Sequence, residues 1–141
     1  MNLDRFLNAQ AGSYETALRE IRSGHKYSHW IWYIFPQIQG LGFSSTAQYY
    51  AIEDLAEAKA YLAHPTLRTR LLEISEALLT LSSSDPLDVM GSPDDLKLRS
   101  SMTLFAEADP SCDVFQKVLD KFYGGRKDHR TLEILQREKK T

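Results

Sequence analysis

The chain contains one cysteine, Cys112, so no disulfide can form within it. Its longest apolar run, from Trp30 to Pro36, is far shorter than the ~20 residues that a membrane-spanning helix requires. The residues that follow Met1 lack the apolar stretch of a signal peptide. These absences predict a cytoplasmic protein that contacts no membrane.

The chain also lacks a surplus of one charge, because its formal net charge is -2 over 141 residues. Such a surface has no general attraction for the phosphates of duplex nucleic acid, so we expect no partner of that kind. Metal-binding motifs are missing as well: His25, His64 and His129 are scattered and no His-Glu-x-x-His occurs. We therefore expect neither a bound metal nor a cofactor.

The composition is that of an ordinary globular protein, with 43% hydrophobic and 26% charged residues. A chain of 141 residues can bury enough surface to fold without cross-links. It contains no internal repeat and no long linker rich in proline, glycine or serine. The sequence therefore predicts one domain that covers residues 1–141.

Helical spacing of apolar residues recurs along the chain, and no convincing run alternates between apolar and polar residues. The clearest helix opens at Pro65, and its leucines and isoleucine recur every three or four positions. We predict an all-α fold, a single compact domain of about seven short helices. The other segments are an opening helix with Leu3, Phe6 and Leu7, then Ser13 to Gly24, Asp54 to Ala63, Ser92 to about Ala108, Ser111 to Gly124, and about Asp128 to Lys139.

Both tryptophans of the chain lie in one aromatic segment, Ser28 to Gln37. We favour a helix capped by Ser28 over a strand for this segment. The indole rings of Trp30 and Trp32 can stack on a planar ligand, while the His29 imidazole and the Gln37 amide supply polar groups. The alternative is that these aromatic side chains form a buried core element.

A glycine-containing loop follows the aromatic segment, with the sequence Gly40-Leu41-Gly42-Phe43-Ser44-Ser45. Glycines permit the tight turns in which successive backbone N–H groups face a phosphate. The loop does not match the Walker motif or the dinucleotide fingerprint. A phosphate-binding loop and a plain surface turn therefore both remain open.

Lysine and hydroxyl side chains share one face of the helix predicted near residue 100. Helical spacing places Lys97 beside Ser100 and Ser101, with Thr103 three positions beyond Ser100. Such a face can bind an anion, and the alternative is an ordinary solvated polar face.

Several motifs of the chain resemble a bacterial family catalogued as domain of unknown function 1810, sometimes mislabelled calpastatin. The resemblance covers essentially the full length and implies a compact, mainly helical fold without an established activity. Arg68 departs from the family pattern, which often has glycine there, and this affects a helix turn. The motifs are Ser28-His29-Trp30-x-Trp32-x-x-Phe35-Pro36-Gln37, Gly40-Leu41-Gly42-x-Ser44, Tyr50-Ala51-Ile52, Glu57-Ala58-x-x-Tyr61-Leu62-x-His64-Pro65, Lys97-x-x-Ser100-Ser101-Met102-Thr103-Leu104-Phe105 and Gly125-x-x-Asp128-x-x-Thr131-Leu132.

A fainter similarity connects a Met-x-x-Phe segment and the amphipathic helix after it to helical N-glycosidases that act on riboflavin intermediates and ADP-ribose adducts. Polar side chains cluster in the aromatic segment, the glycine loop and the Lys97 helix, and we expect them to line a pocket for a nucleotide-like or ADP-ribose-like ligand or a phosphorylated sugar. If the protein is catalytic, we expect hydrolysis of an N-glycosidic bond, in line with this similarity. In that hypothesis Trp30 or Trp32 stacks on the base, Lys97 and Ser101 hold phosphate or ribose, and His29 moves a proton. The other candidate ligand-binding residues are Gln37, Gly40, Gly42, Ser44 and Thr103.

The alternative hypothesis is a non-catalytic protein-interaction module. Its aromatic side chains would form a groove for a partner helix or a homodimer contact. The sequence leaves open whether the protein is an enzyme. The ligand hypothesis requires the aromatic segment and the Lys97 helix to line one shared cavity.

Overall fold

The computed structural model describes residues 2–139, and this part of the chain contains ten α-helices and no strand. The predicted all-α class is confirmed, whereas the predicted number of about seven helices is corrected to ten within that range. Helices α4 and α7, with six and five residues, have no counterpart among the predicted segments, because such short helices show no helical repeat in the sequence. The helices are α1 Asp4–Ala11, α2 Tyr14–Ser23, α3 Ile31–Ile34, α4 Ser45–Tyr50, α5 Leu55–Ala63, α6 Pro65–Leu79, α7 Pro86–Met90, α8 Asp94–Ala108, α9 Val114–Tyr123 and α10 His129–Lys139.

Some predicted helix starts are confirmed by capping contacts. The Asp54 side chain accepts a hydrogen bond from the Glu57 N–H and begins α5. Pro65 occupies the first turn of α6, where its missing N–H costs no hydrogen bond.

Three predicted starts are wrong. The aromatic helix α3 begins at Ile31 and not after Ser28, because the Ser28 N–H and hydroxyl both bond to the Glu20 carboxylate instead. Helix α9 begins at Val114, three residues after Ser111, whose hydroxyl bonds to Asp109. The N-cap position of α8 is Pro93 and not Ser92.

Helix α8 lies at the centre of the fold and packs against α3, α5, α7, α9 and α10. A row of buried aromatic rings runs through this core from α1 to α9. Phe6 meets Tyr61 edge to face with ring centroids 5.2 Å apart, and Tyr61 lies 5.2 Å from Phe105, which lies 5.8 Å from Phe115. No helix within residues 2–139 is long and apolar enough to cross a lipid bilayer.

A parallel β-bridge joins Ile38 to Ile52, and both side chains are buried. The Gln39 N–H donates to the Ile52 carbonyl and the Ile52 N–H donates to the Gln37 carbonyl, each at 2.8 Å. The bridge brings together the two ends of the segment 38–52, which contains the glycine loop and α4. It thereby fixes where this segment meets α8 and α10.

Candidate functional site

A cleft of about 430 Å³ opens between the glycine loop, α8 and the start of α10. One wall comes from residues 37–47, the second from the first half of α8, and the third from residues 128–130. The aromatic segment contributes its last residue to the same cleft that contains Lys97. The lining residues are Gln37, Leu41, Gly42, Phe43, Ser44, Ala47, Pro93, Leu96, Lys97, Ser100, Asp128 and Arg130.

The glycine loop is held in place by close packing on both of its sides. Gly40 has a φ of 106°, a conformation that side chains other than glycine rarely adopt, and a Cβ there would lie 3.4 Å from Ile134 Cδ1. A Cβ on Gly42 would lie only 2.7 Å from the Ala47 Cβ. Ser44 then begins α4 by accepting a hydrogen bond from the Ala47 N–H at 3.1 Å. The loop therefore serves as a packed wall between α4 and α10.

The ammonium of Lys97 stands at the second wall, above an aromatic ring. Its Nζ lies 5.1 Å from the ring centroid of Trp32 and 3.8 Å from Oδ1 of Asp94. The other carboxylate oxygen of Asp94 pairs with Lys26 at 2.7 Å, and the Lys26 side chain is only 5% exposed. Because the Asp94 charge is shared between two lysines, the Lys97 charge is only partly compensated and is available to an anion.

The third wall is tethered to α8 by three hydrogen bonds. Arg99 donates from Nε to the Arg126 carbonyl at 2.9 Å and from Nη2 to the Lys127 carbonyl at 3.0 Å. The Asp128 N–H donates to Oγ1 of Thr103 at 2.8 Å, and the fully buried Thr103 hydroxyl donates to the Arg99 carbonyl. These contacts fix the Asp128 backbone relative to the helix that carries Lys97.

Charged side chains of both signs line the cleft without pairing with each other. The Asp128 Oδ2 atom accepts hydrogen bonds from the Thr131 N–H at 2.9 Å and hydroxyl at 2.6 Å, which caps α10. Within residues 2–139, neither Oδ1 of Asp128 nor the Arg130 guanidinium has a partner. The cleft therefore offers an acceptor at Asp128 and cations at Lys97 and Arg130.

Four residues predicted for the site line this cleft: Gln37, Gly42, Ser44 and Lys97. Trp32 is partly buried and lines a smaller cavity of about 20 Å³ beside the cleft, which shares Gln37 and Gly42. The structure thus brings the end of the aromatic segment, the glycine loop and α8 to one place.

Other predicted site residues lie elsewhere in the structure. Trp30 is 1% exposed, and its Nε1 donates to the Glu20 carboxylate at 3.0 Å, so this indole belongs to the core. His29 is exposed and is not part of the cleft lining. Ser101 is fully buried, and its hydroxyl has no hydrogen-bond partner within residues 2–139. Thr103 reaches the site only through Asp128, and Gly40 packs on α10.

Sequence reasoning missed two polar residues of the lining, Asp128 and Arg130, as well as the exposed apolar residues Phe43 and Leu96. Of these four residues, only Asp128 has a role that the sequence could have indicated. An aspartate at the start of a helix, three positions before Thr131, is a typical N-cap. The position of that cap beside α8 depends on contacts distant in sequence, which local spacing does not reveal.

The fold and the cleft define a small all-α protein with a charged cleft at the edge of one hydrophobic core. Residues 1–135 match the model of the family described as Protein of unknown function (DUF1810), so the chain belongs to this family and the resemblance of its motifs is confirmed. The structure is similar to that of the conserved hypothetical protein Rv1873 from Mycobacterium tuberculosis, with 45% sequence identity and a TM-score of 0.93. That match covers 95% of this chain and 96% of the other. A comparison with curated proteins gives no match.

Proposed function

We propose that the cleft binds a small nucleotide-like or ADP-ribose-like anion and that the protein hydrolyses an N-glycosidic bond of such a ligand. The observation that carries the proposal is the arrangement of Lys97 and Arg130 in one cleft with the Gln37 amide. Phosphate groups are recognised by cations and by N–H donors, and these three side chains supply both.

The remainder of the lining suits the apolar part of such a ligand. Phe43 is 80% exposed and Leu96 is 59% exposed, and both lie at this cleft. Large apolar side chains left open to solvent beside charged groups are typical of ligand-binding surfaces. A purine or pyridine ring can stack on Phe43 while the phosphates face the two cations.

Isothermal titration with ADP and with ADP-ribose tests the binding step. We expect wild-type protein to bind at least one of the two, and Lys97→Ala to weaken that binding about tenfold, because a hydrogen bond to a charged group contributes ~1.5–3 kcal/mol. The matched control is Lys117→Ala, which removes an exposed lysine on α9 that pairs with Asp113 outside the cleft. No binding of either compound, or equal losses in the two variants, would refute the proposal.

The hydrolytic step is tested with NAD⁺, an N-glycoside of ADP-ribose, by measuring release of free nicotinamide. We expect release by wild-type protein and, at NAD⁺ concentrations too low to saturate the cleft, release about tenfold slower by Lys97→Ala, because this variant binds the phosphates less tightly. The proposal gives His29 no role, because His29 lies outside the cleft lining, so His29→Ala should match the wild type. If the protein binds these compounds but releases no nicotinamide, the proposed binding stands and the proposed hydrolysis is refuted.

The alternative, a protein-interaction module, is less well supported by the geometry. It requires the tryptophans to form an open apolar groove, whereas Trp30 is buried and Trp32 lies beneath the Lys97 ammonium. The concave shape and charged lining of the cleft favour a small ligand over a partner helix. A homodimer contact would appear as a concentration-dependent mass in analytical ultracentrifugation.

A further inference from the structure

We infer that Asp128 selects for a ribose with an intact 2′,3′-diol, so that the ligand class is ribonucleotides and not deoxyribonucleotides. This inference rests on the proposed function, because it concerns the same cleft. It goes further by assigning a specificity-determining residue that sequence reasoning did not nominate.

The residues that line the cleft carry charges of both signs. Among the residues of the range 2–139 that line the cleft, Asp128 is the only acidic one, and it accompanies Lys97 and Arg130. A site for phosphate alone gains nothing from a carboxylate, since like charges repel. A ligand that combines anionic phosphates with neutral hydroxyl donors explains both signs of charge.

The second observation concerns the two oxygens of the Asp128 carboxylate. Oδ2 accepts both hydrogen bonds from Thr131, whereas Oδ1 has no partner within residues 2–139. A carboxylate oxygen accepts hydrogen bonds and donates none, so the ligand group opposite Oδ1 must be a donor. Acidic side chains bind ribose hydroxyls in this way in dinucleotide-binding proteins of another fold.

The third observation is that Asp128 is fixed before any ligand arrives. Its N–H is held by the buried Thr103 hydroxyl, and Oδ2 is held at the start of α10. Little conformational freedom is therefore lost when Oδ1 meets a hydroxyl, and a rigid acceptor discriminates well against a ligand without that hydroxyl.

The test compares the dissociation constants of ADP and 2′-deoxy-ADP, which differ by one hydroxyl. We expect wild-type protein to bind ADP about tenfold more tightly, and Asp128→Asn to lower this ratio, because the amide NH₂ that takes the place of Oδ1 donates hydrogen bonds and carries no charge. Asparagine keeps an oxygen that can accept from Thr131 and is an equally good N-cap, so α10 remains intact. If Asp128 has only a structural role, Asp128→Asn should weaken the binding of both ligands equally and leave the ratio of their dissociation constants unchanged.

The control variant is Asp113→Asn, which removes the same charge at an exposed position outside the cleft and should preserve the wild-type ratio. If wild-type protein binds ADP and 2′-deoxy-ADP equally, or if Asp128→Asn retains the full preference for ADP, the inference is overturned while the proposed function stands. If ADP-ribose binds but ADP does not, the comparison is made between ADP-ribose and its 2′-deoxy analogue, and equal binding of those two overturns the inference. If neither ADP nor ADP-ribose binds, the proposed function itself fails.

Discussion

The indole Nε1 of Trp30 donates a hydrogen bond to the Glu20 carboxylate across 3.0 Å. The same carboxylate also accepts from the N–H groups of Tyr27 and Ser28 and from the Ser28 hydroxyl. Glu20 thus ties the end of α2 to the segment that leads into α3. Trp30 is thereby held in the core, whereas Trp32, two positions later, lies beneath Lys97.

Removal of the Glu20 carboxylate should destabilise the fold. Glu20→Ala leaves the indole N–H of the buried Trp30 without its partner, and we expect a loss on the order of 3 kcal/mol in the free energy of unfolding. Glu20→Gln should lose less, because its amide oxygen still accepts hydrogen bonds. Urea denaturation measures the losses, and Glu76→Ala, at an exposed position on α6, is the control. A similar small effect for Glu20→Ala and Glu76→Ala would contradict the assignment.

The contribution of Glu20 should also depend on pH. Burial of the carboxylate opposes its ionisation, but the hydrogen bonds from Ser28, Tyr27 and Trp30 outweigh burial and lower the pKa of Glu20 from an ordinary 4.5 to about 2. A lowered pKa in the folded state contributes stability that is fully present above the unfolded value and is lost as the pH falls. The difference in unfolding free energy between wild type and Glu20→Gln should therefore shrink between about pH 4.5 and 2. A constant difference in unfolding free energy across this range would show that the charge of Glu20 does not stabilise the folded state.

The close contact between Gly42 and Ala47 should make the glycine loop intolerant of a larger residue. In Gly42→Ala the new Cβ would meet the Ala47 Cβ at 2.7 Å, and we expect a loss of about 1–3 kcal/mol in unfolding free energy together with weaker ADP binding. Gly12→Ala is the matched control, since a Cβ there meets nothing within 4 Å. The double variant Gly42→Ala, Ala47→Gly removes the clash and should recover ligand binding. Failure of this rescue would mean that the contact does not shape the cleft.

The two tryptophans should differ in fluorescence because they differ in exposure. Trp30→Phe leaves emission from the partly buried Trp32, whereas Trp32→Phe leaves emission from Trp30, which is 1% exposed. We expect acrylamide to quench the first variant more strongly than the second. ADP should change the emission of the first variant only, since Trp32 lies 5.1 Å from the Lys97 ammonium at the cleft. Equal responses of the two variants to ADP would argue against binding beside Trp32.

Local spacing was sufficient to predict most of the fold. The stripe from Leu67 to Leu78 in α6 is buried as its three- and four-residue steps predicted, and Asp54 caps α5. The short helix α7 was not predicted, because the five residues from Pro86 to Met90 are too few to show a helical repeat. The start of α3 was misplaced because Ser28 bonds to Glu20, eight positions earlier, and a contact at that distance leaves no mark in the helical periodicity.

The candidate site was predictable only in part, for a related reason. Gln37 was recognisable as the polar end of the aromatic segment, and Lys97 as a lysine on one helix face with hydroxyl side chains, and both line the cleft. Trp30 and Trp32 could not be distinguished, because their burial depends on Glu20 and Lys97 and not on their own spacing. Asp128 enters the site only because α10 docks on α8, through a hydrogen bond between residues 25 positions apart.

Loss of the hydrogen bond from the Asp128 N–H to the Thr103 hydroxyl should destabilise the fold. Thr103→Val keeps the shape of the buried side chain but removes the acceptor of the Asp128 N–H, so we expect a loss of about 1–3 kcal/mol in unfolding free energy. The Asp128 carboxylate should then be less firmly held, and the preference for ADP over 2′-deoxy-ADP should fall. Thr103→Ser retains the hydroxyl and should preserve that preference. Hydrogen exchange at the Asp128 amide gives the direct measurement, and an exchange rate in Thr103→Val as slow as in wild type would show that the hydroxyl does not hold the third wall of the cleft.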